Sequence, residues 1–527
     1  MENSLTRIVQ ANGSPWLPDA QQLQRLLQLS GYGYDDASRS SQSGATWWTN
    51  LFTADEAILP KRLELIARSR DLTRNNPIGR GTKKLYLDSV VGEGLIPSPQ
   101  PDVNILGLDI DQKRQASAAI LSEFFFFADD VHCDLQRETN FYGKQRQAYA
   151  EYWDAGDCLV VLPRLVRPGN PFETKIQIIE SEGVTSGYDD AYLNIPGNNT
   201  VAGVRKDIYG APVGYQYREP GEGAYAKLKE VQAFGPVTGR RIAWLMKNSE
   251  RVHQTRGVPY LACTMATIHD LGRLQKGELL SSIVNGLFTA FVKSPPGSSN
   301  PLMALALGQQ RGGVQDIGMG YANVVNLNPG QEVTMAHSAH PNSNYAPYFN
   351  SQVDLVAMGL GMPAEVARRK FEQSYSASRA ALLEAWRSFL VERFLLVVQH
   401  FCQPIYEAVI WESVLRGRLT LPGFLEDERK RRAWLYCQWR GAPRGSIDPL
   451  KEVMAAKERI GLGISNREKE TIEYSGEDWW EIEAQAVIEA EQMAKDGLIP
   501  VAGSADIIAD PAAILKADTA KDSIVNA

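Results

Sequence analysis

The sequence predicts an α+β protein in which a β-rich body is set between long helical regions. Short apolar or alternating runs bounded by Gly and Pro are concentrated between residues 155 and 247, which is typical of strands. Apolar residues recur every three or four positions over residues 259–294 and again over 379–416, as in helices that bury one face. At about 100–200 residues per domain, the 527 residues predict roughly three to four structural units.

The N-terminal part contains three predicted helical stretches. A short helix over residues 18–29 precedes a Gly/Ser-rich linker over 31–44. A helical pattern then runs over 55–89, and another over 111–128 ends in four consecutive phenylalanines, residues 124–127. Four such side chains cannot all face one side of a helix. Either two surfaces of the subunit bury them, or the chain contacts a neighbour there.

The middle of the chain combines strands with one long helix. Strands are predicted at residues 158–162 and 175–179, and a hairpin is predicted from 204–208 and 213–217. The helix over 259–294 stops at Pro295-Pro296 and, at about 1.5 Å per residue, would form a rod of roughly 50 Å. Residues 295–342 are rich in Gly, Asn and Pro, with one strand candidate at 323–327.

The C-terminal half is predicted to be mainly helical. A helix over residues 345–360 breaks at Gly361-Met362-Pro363. Ser378 can cap a very long helix over 379–416, in which Pro404 removes a backbone donor and should introduce a kink. Three further helices are predicted in the last quarter: one from Asp448-Pro449 to Gly461, one begun by the capping box Ser465-Asn466-Arg467-Glu468, and one over 478–495.

The composition excludes several classes of protein. The 55 Lys and Arg against 62 Asp and Glu give a net charge of −7, so any contact with DNA must be local or transient rather than a bulk coating. Five scattered cysteines predict neither a disulfide framework nor a zinc site, which favours a reducing compartment. The N-terminus lacks the apolar core of a secretory signal, and charges interrupt the most apolar long stretch, residues 389–411, so no membrane span is expected.

No motif indicates an enzyme, a metal or a cofactor. The cluster at residues 79–83 lacks the spacing of a phosphate-binding loop and does not follow a buried strand. His337 and His340 have no further ligands nearby, and the pair His132-Cys133 has no identifiable catalytic partner. The charge run at 426–432 is interpreted as a solvated helix face.

One basic cluster remains, Arg368-Arg369-Lys370. It follows the helix break at residues 361–363 and precedes the long helix. Three cations at the tip of a loop are a plausible contact for phosphates. The alternative is a solvent-exposed turn without a role, and the sequence favours neither interpretation.

Several motifs, in order along residues 60–500, resemble the portal proteins of tailed bacteriophages of the lambda type. Their order and spacing are together quite specific, and they are Arg74-Asn75-Asn76-Pro77, Val91-Gly92-Glu93-Gly94, Arg256-Gly257-Val258-Pro259, Leu327-Asn328-Pro329-Gly330-Gln331-Glu332, Pro341-Asn342-Ser343-Asn344-Tyr345, Gly359-Leu360-Gly361-Met362-Pro363 and Ser374-Tyr375-Ser376-Ala377-Ser378-Arg379-Ala380.

The resemblance implies a virion protein that is assembled in the cytoplasm of a bacterial host. Portal subunits form a ring, usually of about twelve, at one vertex of the capsid. The terminase large subunit drives double-stranded DNA through the ring, and the genome later leaves through it. The implied partners are further copies of the chain, the terminase, the major capsid and scaffold proteins, the head–tail adaptor and DNA in the channel. Neither a membrane nor a cofactor is implied.

The resemblance also implies an assignment of regions. Arg368, Arg369 and Lys370 would contact DNA from the tunnel loop, and Leu280, Ile283 and Leu287 would lie at the oligomer interface. The clip shows no clear helix, which departs from the family pattern. In chain order the regions are an N-terminal arm (1–45), a mixed α/β wing (46–258), stem helix 1 (259–294), a small clip (295–342), stem helix 2 (343–362), the tunnel loop (363–378), a long kinked helix with the return to the wing (379–440), a helical crown (441–500) and a flexible tail (501–527).

Two other functions stay open on the sequence alone. A DNA-processing enzyme such as a terminase or nuclease would need a nucleotide cradle or a carboxylate cluster for two metals, and the sequence displays neither. A scaffolding or head-morphogenesis protein that does not form rings would differ in size-exclusion chromatography, because a portal ring elutes at several hundred kilodaltons.

Overall fold

The computed structural model describes residues 49–187, 199–219, 227–286, 290–293, 332–335, 343–371, 374–445 and 448–496. The chain divides into two compact units, Met1–Thr53 and Ala54–Ala527. All elements described here belong to the second unit. The predicted helix at 18–29, the linker at 31–44 and the tail after residue 501 lie outside the described residues.

The described part of the chain contains fifteen α-helices. The first six are α1 (Ala54–Ile58), α2 (Arg62–Asn75), α3 (Pro77–Tyr86), α4 (Val103–Leu106), α5 (Ile110–Ala128) and α6 (Phe141–Ala155). They are followed by α7 (Met265–Gly286), α8 (Tyr345–Gly359), α9 (Ala364–Arg368), α10 (Tyr375–Glu392), α11 (Gln403–Leu415), α12 (Glu428–Leu435), α13 (Pro449–Gly461), α14 (Arg467–Tyr474) and α15 (Trp479–Lys495). Two π-helical segments continue α3 and α10, at Leu87–Val91 and Arg393–Cys402.

The strands pair antiparallel in small separate sheets, which confirms the α+β class. In one two-stranded sheet β1 pairs with β11, and in the other β9 pairs with β10. The three-stranded sheet has the strand order β3, β2, β8, and the four-stranded sheet has the order β4, β5, β6, β7. The strands are β1 (Ile96–Pro99), β2 (Asp157–Val161), β3 (Gln177–Ile179), β4 (Thr200–Val201), β5 (Val204–Lys206), β6 (Pro212–Tyr217), β7 (Lys229–Gln232), β8 (Ala243–Lys247), β9 (Ala290–Lys293), β10 (Glu332–Met335) and β11 (Cys437–Arg440).

The helical pattern predicted over residues 55–89 is broken at Asn76. The Asn76 side chain caps α3 by accepting hydrogen bonds from the Ile78 and Gly79 backbone N–H groups at 2.9 and 3.4 Å, with Pro77 in the first turn. Gly79 permits α2 and α3 to approach closely, because a Cβ at this position would lie 2.8 Å from the Leu72 carbonyl oxygen. The cluster at residues 79–83 is therefore part of a helix rather than a phosphate-binding loop.

The helix predicted over 111–128 is confirmed as α5, which begins with a capping box between Asp109 and Gln112. Its run of phenylalanines divides between the interior and the surface. Phe124 and Phe127 are buried among other aromatic rings, whereas Phe126 is 68% exposed. Burial within one subunit thus accounts for only part of the run.

Two features of the β-rich body are confirmed. β2 is buried along its whole length between β3 and β8. β5 and β6 form the predicted hairpin, with Val204 opposite Tyr215. The sequence did not predict α6, which packs against β2 and contributes Trp153 and Tyr149 to the main core.

The helix predicted over 259–294 is shorter than expected. Backbone turns occupy the start, for example from the Thr264 N–H to the Leu261 carbonyl, and α7 runs only from Met265 to Gly286. The following Ala290–Lys293 is a strand, paired antiparallel with Glu332–Met335. Short apolar runs suit both helix and strand, so the periodicity could not locate this change. The strand candidate at 323–327 lies outside the described residues.

The long helix starts one turn earlier than predicted. Its cap is Ser374, which accepts a hydrogen bond from the Ala377 N–H at 3.4 Å, and Ser378 lies inside α10. A kink was predicted at Pro404. The structure has a π-helical segment, Arg393–Cys402, just before this proline. Wide π turns are a common way to absorb an interruption of the α-helical hydrogen-bond ladder.

The three C-terminal helices are confirmed, with one cap misassigned. α13 runs from Pro449 to Gly461 as predicted, with Asp448 as its cap. The cap of α14 is Asn466, which accepts from the Lys469 N–H at 2.8 Å, rather than Ser465. The Glu468 carboxylate does not complete a capping box but accepts a hydrogen bond from Gln100 at 3.2 Å.

Candidate functional site

The segment that carries the basic cluster is more ordered than a simple loop. Residues 364–368 form the short helix α9, and the next turn is closed by hydrogen bonds from Arg369 N–H to the Val366 carbonyl and from Lys370 N–H to the Glu365 carbonyl. Arg369 has a φ of 52°, a left-handed conformation that costs most non-glycine residues strain. The first part of this segment is thus helical rather than a loop.

The three cations of this segment are not equivalent. Arg369 and Lys370 are exposed. Arg368 is only partly exposed, and its Nε lies 3.3 Å from Oδ1 of Asp354 on α8. The structure therefore exposes two of the three cations and half-buries the third on the side of α8.

A tyrosine cluster fixes the point where this segment begins. Tyr86 is fully buried and donates its hydroxyl hydrogen bond to the carbonyl of Leu360, just after α8. Tyr260 donates to the Tyr86 hydroxyl oxygen at 3.1 Å and stacks on Trp153. Burial raises the pKa of Tyr86 and Tyr260, so both remain protonated donors at physiological pH. The cluster ties the end of α8 to α3 and to the chain entering α7.

The carboxylate of Glu392, at the end of α10, belongs to the same junction. It accepts a hydrogen bond from the Tyr149 hydroxyl at 2.8 Å. Burial raises the pKa of Glu392 to about 7, although the hydrogen bond from Tyr149 opposes the rise. The junction therefore contains a group that changes charge near neutral pH.

We expect the Glu392→Gln variant to lose part of the pH dependence of stability between about pH 4.5 and pH 7. The folded-state pKa lies above the usual value of about 4.3, so the folded state binds the proton more tightly, and stability falls as pH rises through this window. Melting temperatures at pH 5 and pH 7.5 test this. The wild-type decrease should exceed that of Glu392→Gln, and equal decreases in both proteins would contradict the expectation.

The outer part of α7 exposes an apolar face. Ile268 and Leu271 near its start are buried in the main core. Further along, Leu279, Leu280 and Ile283 are 63%, 62% and 50% exposed. Leu287, the third predicted interface residue, lies outside the described residues. Large apolar side chains clustered in this way on one helix are typical of a surface that another chain covers.

A buried ion pair holds the chain that leads into α7. Arg256 and Asp157 are both fully buried, with two contacts between guanidinium and carboxylate at 2.7 and 2.8 Å. Arg256 also donates to the carbonyls of Val184, Ala202 and Ser181. Burial alone would raise the pKa of Asp157, but the Arg256 guanidinium holds it well below its usual range.

The glycine that follows Arg256 is required by close packing. A Cβ at Gly257 would lie 1.8 Å from the Gly156 carbonyl oxygen. The motif Arg256-Gly257 therefore joins the buried ion pair to a backbone crossing that only glycine permits. The sequence contains this motif but does not indicate that Asp157 is its partner, because nothing in the sequence connects the two positions.

Among the described residues, the other candidate sites do not form catalytic or metal centres. His132 Nδ1 lies 2.8 Å from Asp130 Oδ1, and burial raises the pKa of the Cys133 thiol to about 12, so the pair is not an activated nucleophile. In the described part of the chain, no three His, Cys, Asp or Glu residues are grouped to hold a metal ion. His337 and His340 lie outside it. None of the described helices is long and apolar enough to cross a membrane.

Comparisons with known proteins agree with this arrangement. A family model described as "Phage portal protein, lambda family" matches residues 40–393. The chain is 28% identical over 483 residues to portal protein B of Escherichia phage lambda, covering 87% of this chain and 89% of the relative. It is 27% identical over 476 residues to the portal protein of Escherichia phage N15, covering 86% and 88% respectively.

Solved structures of gene transfer agent particles are also similar. A chain from the virion of a native particle aligns with a TM-score of 0.44 and 11% identity, over 78% of this chain and 92% of that chain. A chain from the neck of a native particle, computed with C12 symmetry, aligns with a TM-score of 0.42 and 12% identity, over 79% and 98%.

Proposed function

The chain belongs to the lambda family of phage portal proteins, and on that premise we propose that its copies close into a ring, of about twelve subunits, through which double-stranded DNA enters and leaves the capsid. Family membership confirms the resemblance recognised in the sequence. It makes the chain a structural component of the virion at the portal vertex rather than an enzyme.

The exposed apolar face of α7 is the observation that carries the proposal of a ring. Leu279, Leu280 and Ile283 would be covered if this helix packed against a different surface of the neighbouring copy. Other helices also expose large apolar side chains, namely Met358 on α8, Val391 on α10 and Phe394 in the π-helical segment that follows. Head-to-tail contacts of this kind form a ring when the rotation between copies closes.

Electron microscopy of the negatively stained, purified protein tests the ring directly. We expect closed annular particles, with a mass of several hundred kilodaltons by light scattering, since one subunit is 58.4 kDa. Monomers or open filaments at assembly concentrations would instead support a head-morphogenesis protein that does not form rings.

The regions of the portal keep the sequence assignment, with boundaries adjusted to the structure. We assign α7 and α8 to the two stem helices, the paired strands β9 and β10 to the start and end of the clip, and residues 363–378 to the tunnel loop. The terminase large subunit, the major capsid and scaffold proteins and the head–tail adaptor are the proposed partners, and assembly is proposed to take place in the cytoplasm of the bacterial host.

We expect the isolated ring to bind duplex DNA weakly. The net charge of −7 on each subunit repels phosphates over most of the surface, so the cations of the tunnel loop give only a local attraction. Because each phosphate contact displaces counterions, affinity should fall steeply with salt and vanish at moderate ionic strength. Tight duplex binding that resists salt, measured by fluorescence anisotropy, would contradict this expectation.

The tunnel-loop cations are proposed to hold DNA that is already inside the channel. Arg369 and Lys370 are the exposed members, and screening limits their reach to about 8–10 Å at physiological salt. Since Arg368 lies beside Asp354, the sharper variant is Arg369→Glu/Lys370→Glu, which leaves that pair intact. We expect normal rings but fewer filled heads, or heads that lose DNA after packaging.

The matched control reverses two charges elsewhere. Arg429 and Lys430 are exposed on α12, so Arg429→Glu/Lys430→Glu makes the same change of charge away from the loop. The number of DNA-filled heads per infected cell and the DNA retained on storage are the measurements. Equal values for both variants and the wild type would leave the basic cluster as an exposed turn without a role.

A further inference from the structure

A charged cleft of about 830 Å³ lies between two parts of the wing, away from α7 and the tunnel loop. One wall is the connection from β7 to β8, and the other is formed by α11 and α12. Four arginines line it, Arg240 and Arg241 from the connection and Arg431 and Arg432 from α12. Guanidinium groups thus converge on the cleft from both walls.

Trp411 at the base of the cleft positions two of these arginines. The guanidinium carbons of Arg240 and Arg431 lie 5.3 and 4.3 Å from the centre of its ring. Arg240 also donates to the Ala408 carbonyl at 2.8 Å, and Arg431 donates to the Phe424 carbonyl at 2.9 Å. These contacts orient the cations without neutralising them.

The lining of the cleft carries an excess of positive charge. Its carboxylates are Glu407 and Glu428. Glu428 pairs with Arg432 at 2.7 Å, and burial raises the pKa of Glu407, whose carboxylate accepts a hydrogen bond from Gln403. Burial lowers the pKa of Arg240 to about 10, which still leaves it charged at neutral pH. Because the chain as a whole has a net charge of −7, this local concentration of cations indicates a binding site for an anionic ligand.

We propose that this cleft binds an acidic peptide segment of a partner protein. Planar guanidinium groups pair with carboxylates through two parallel hydrogen bonds, which favours Asp and Glu side chains as ligands. The cleft has the size of a pocket that encloses small groups. The phosphates of a duplex lie on the outside of a wide cylinder and would reach only the rim of the cleft, which favours a peptide over DNA.

Fluorescence anisotropy of a labelled hexaglutamate peptide with the assembled full-length protein tests the proposal. Arg241 and Arg432 are exposed, so Arg241→Gln/Arg432→Gln removes two charges of the cleft with little effect on folding. The control Arg429→Gln/Lys430→Gln removes two charges from α12 outside the cleft. We expect the cleft variant to lose about tenfold in affinity for the peptide, because it loses charged hydrogen bonds to the carboxylates. The control should lose less than about twofold.

Four outcomes would overturn the proposal. Equal losses in both variants would show general attraction of the peptide to cations, and equal binding of hexaglutamine to the wild type would show that carboxylates are not recognised. The cleft would be a DNA site if the wild type and the control bound a 20-base-pair duplex, the cleft variant did not, and the wild type did not bind the peptide. Peptide binding by isolated subunits but not by rings would place the cleft between copies of the chain.

Discussion

The Arg256→Met variant is expected to lose about 3–5 kcal/mol of the free energy of unfolding, because it removes the guanidinium that pairs directly with the buried Asp157 carboxylate. The lost guanidinium also leaves the carbonyls of Val184 and Ala202 without their donor. These groups connect β2 and the neighbouring sheet to the chain that enters α7. Urea denaturation of unassembled subunits, followed by circular dichroism, measures the change.

The matched control is Arg68→Met. Arg68 pairs with Glu64 one turn away on α2, and both side chains are exposed. The same substitution should therefore cost less than about 1 kcal/mol. Similar midpoints for Arg256→Met and the wild type would show that the buried pair does not hold the body together.

The buried pair also predicts how acid acts on the two proteins. The folded-state pKa of Asp157 lies below the unfolded value of about 3.9, so its stabilisation is present above that value and is lost as pH falls through the folded pKa. In Arg256→Met, burial without the cation should raise the pKa of Asp157. Lowering the pH from 7 to 5 should then reduce the difference in stability between variant and wild type, and a larger difference at pH 5 would contradict this explanation.

Local chemistry in the sequence was sufficient to predict many elements. α5, α13 and α15 each carry an apolar period between a polar start and a recognisable end, so neighbours in sequence determine them. The β5–β6 hairpin is likewise set by its own turn. The misplaced caps, Ser378 and Ser465, show the limit, because several polar residues in one short stretch can each serve as the cap.

Elements that depend on distant partners could not be predicted. β1 contains two prolines, a composition that is typical of a loop. It nevertheless pairs with β11, more than 300 residues later in the chain, with Ile96 opposite Arg440. In the candidate site, the sequence predicted the helix break at residues 361–363 but not the short helix α9, which contains Arg368. The proximity of Arg368 to Asp354, and of Arg256 to Asp157, arises only from folding.

Leu280→Asp is expected to abolish closed rings while leaving the subunit folded. Leu280 is 62% exposed in the single chain, so a carboxylate there stays solvated before assembly and costs the subunit little stability. If α7 packs against a neighbour, the same carboxylate must enter an apolar contact, at a cost of several kcal/mol for each interface. Because every interface of a ring carries the change, the penalty is repeated around it.

The control Ser282→Asp separates this effect from added charge. Ser282 is exposed on the same turn of α7, and its substitution introduces the same carboxylate. It lies about 200° around the helix from Leu280 and about 110° from the middle of the apolar face, at 100° per residue. Light scattering and negative-stain microscopy should show rings for Ser282→Asp and only small species for Leu280→Asp, with equal melting temperatures of the subunits. Rings formed equally well by both variants would mean that another surface joins the subunits, with the apolar side chains of α8 and α10 the first alternatives.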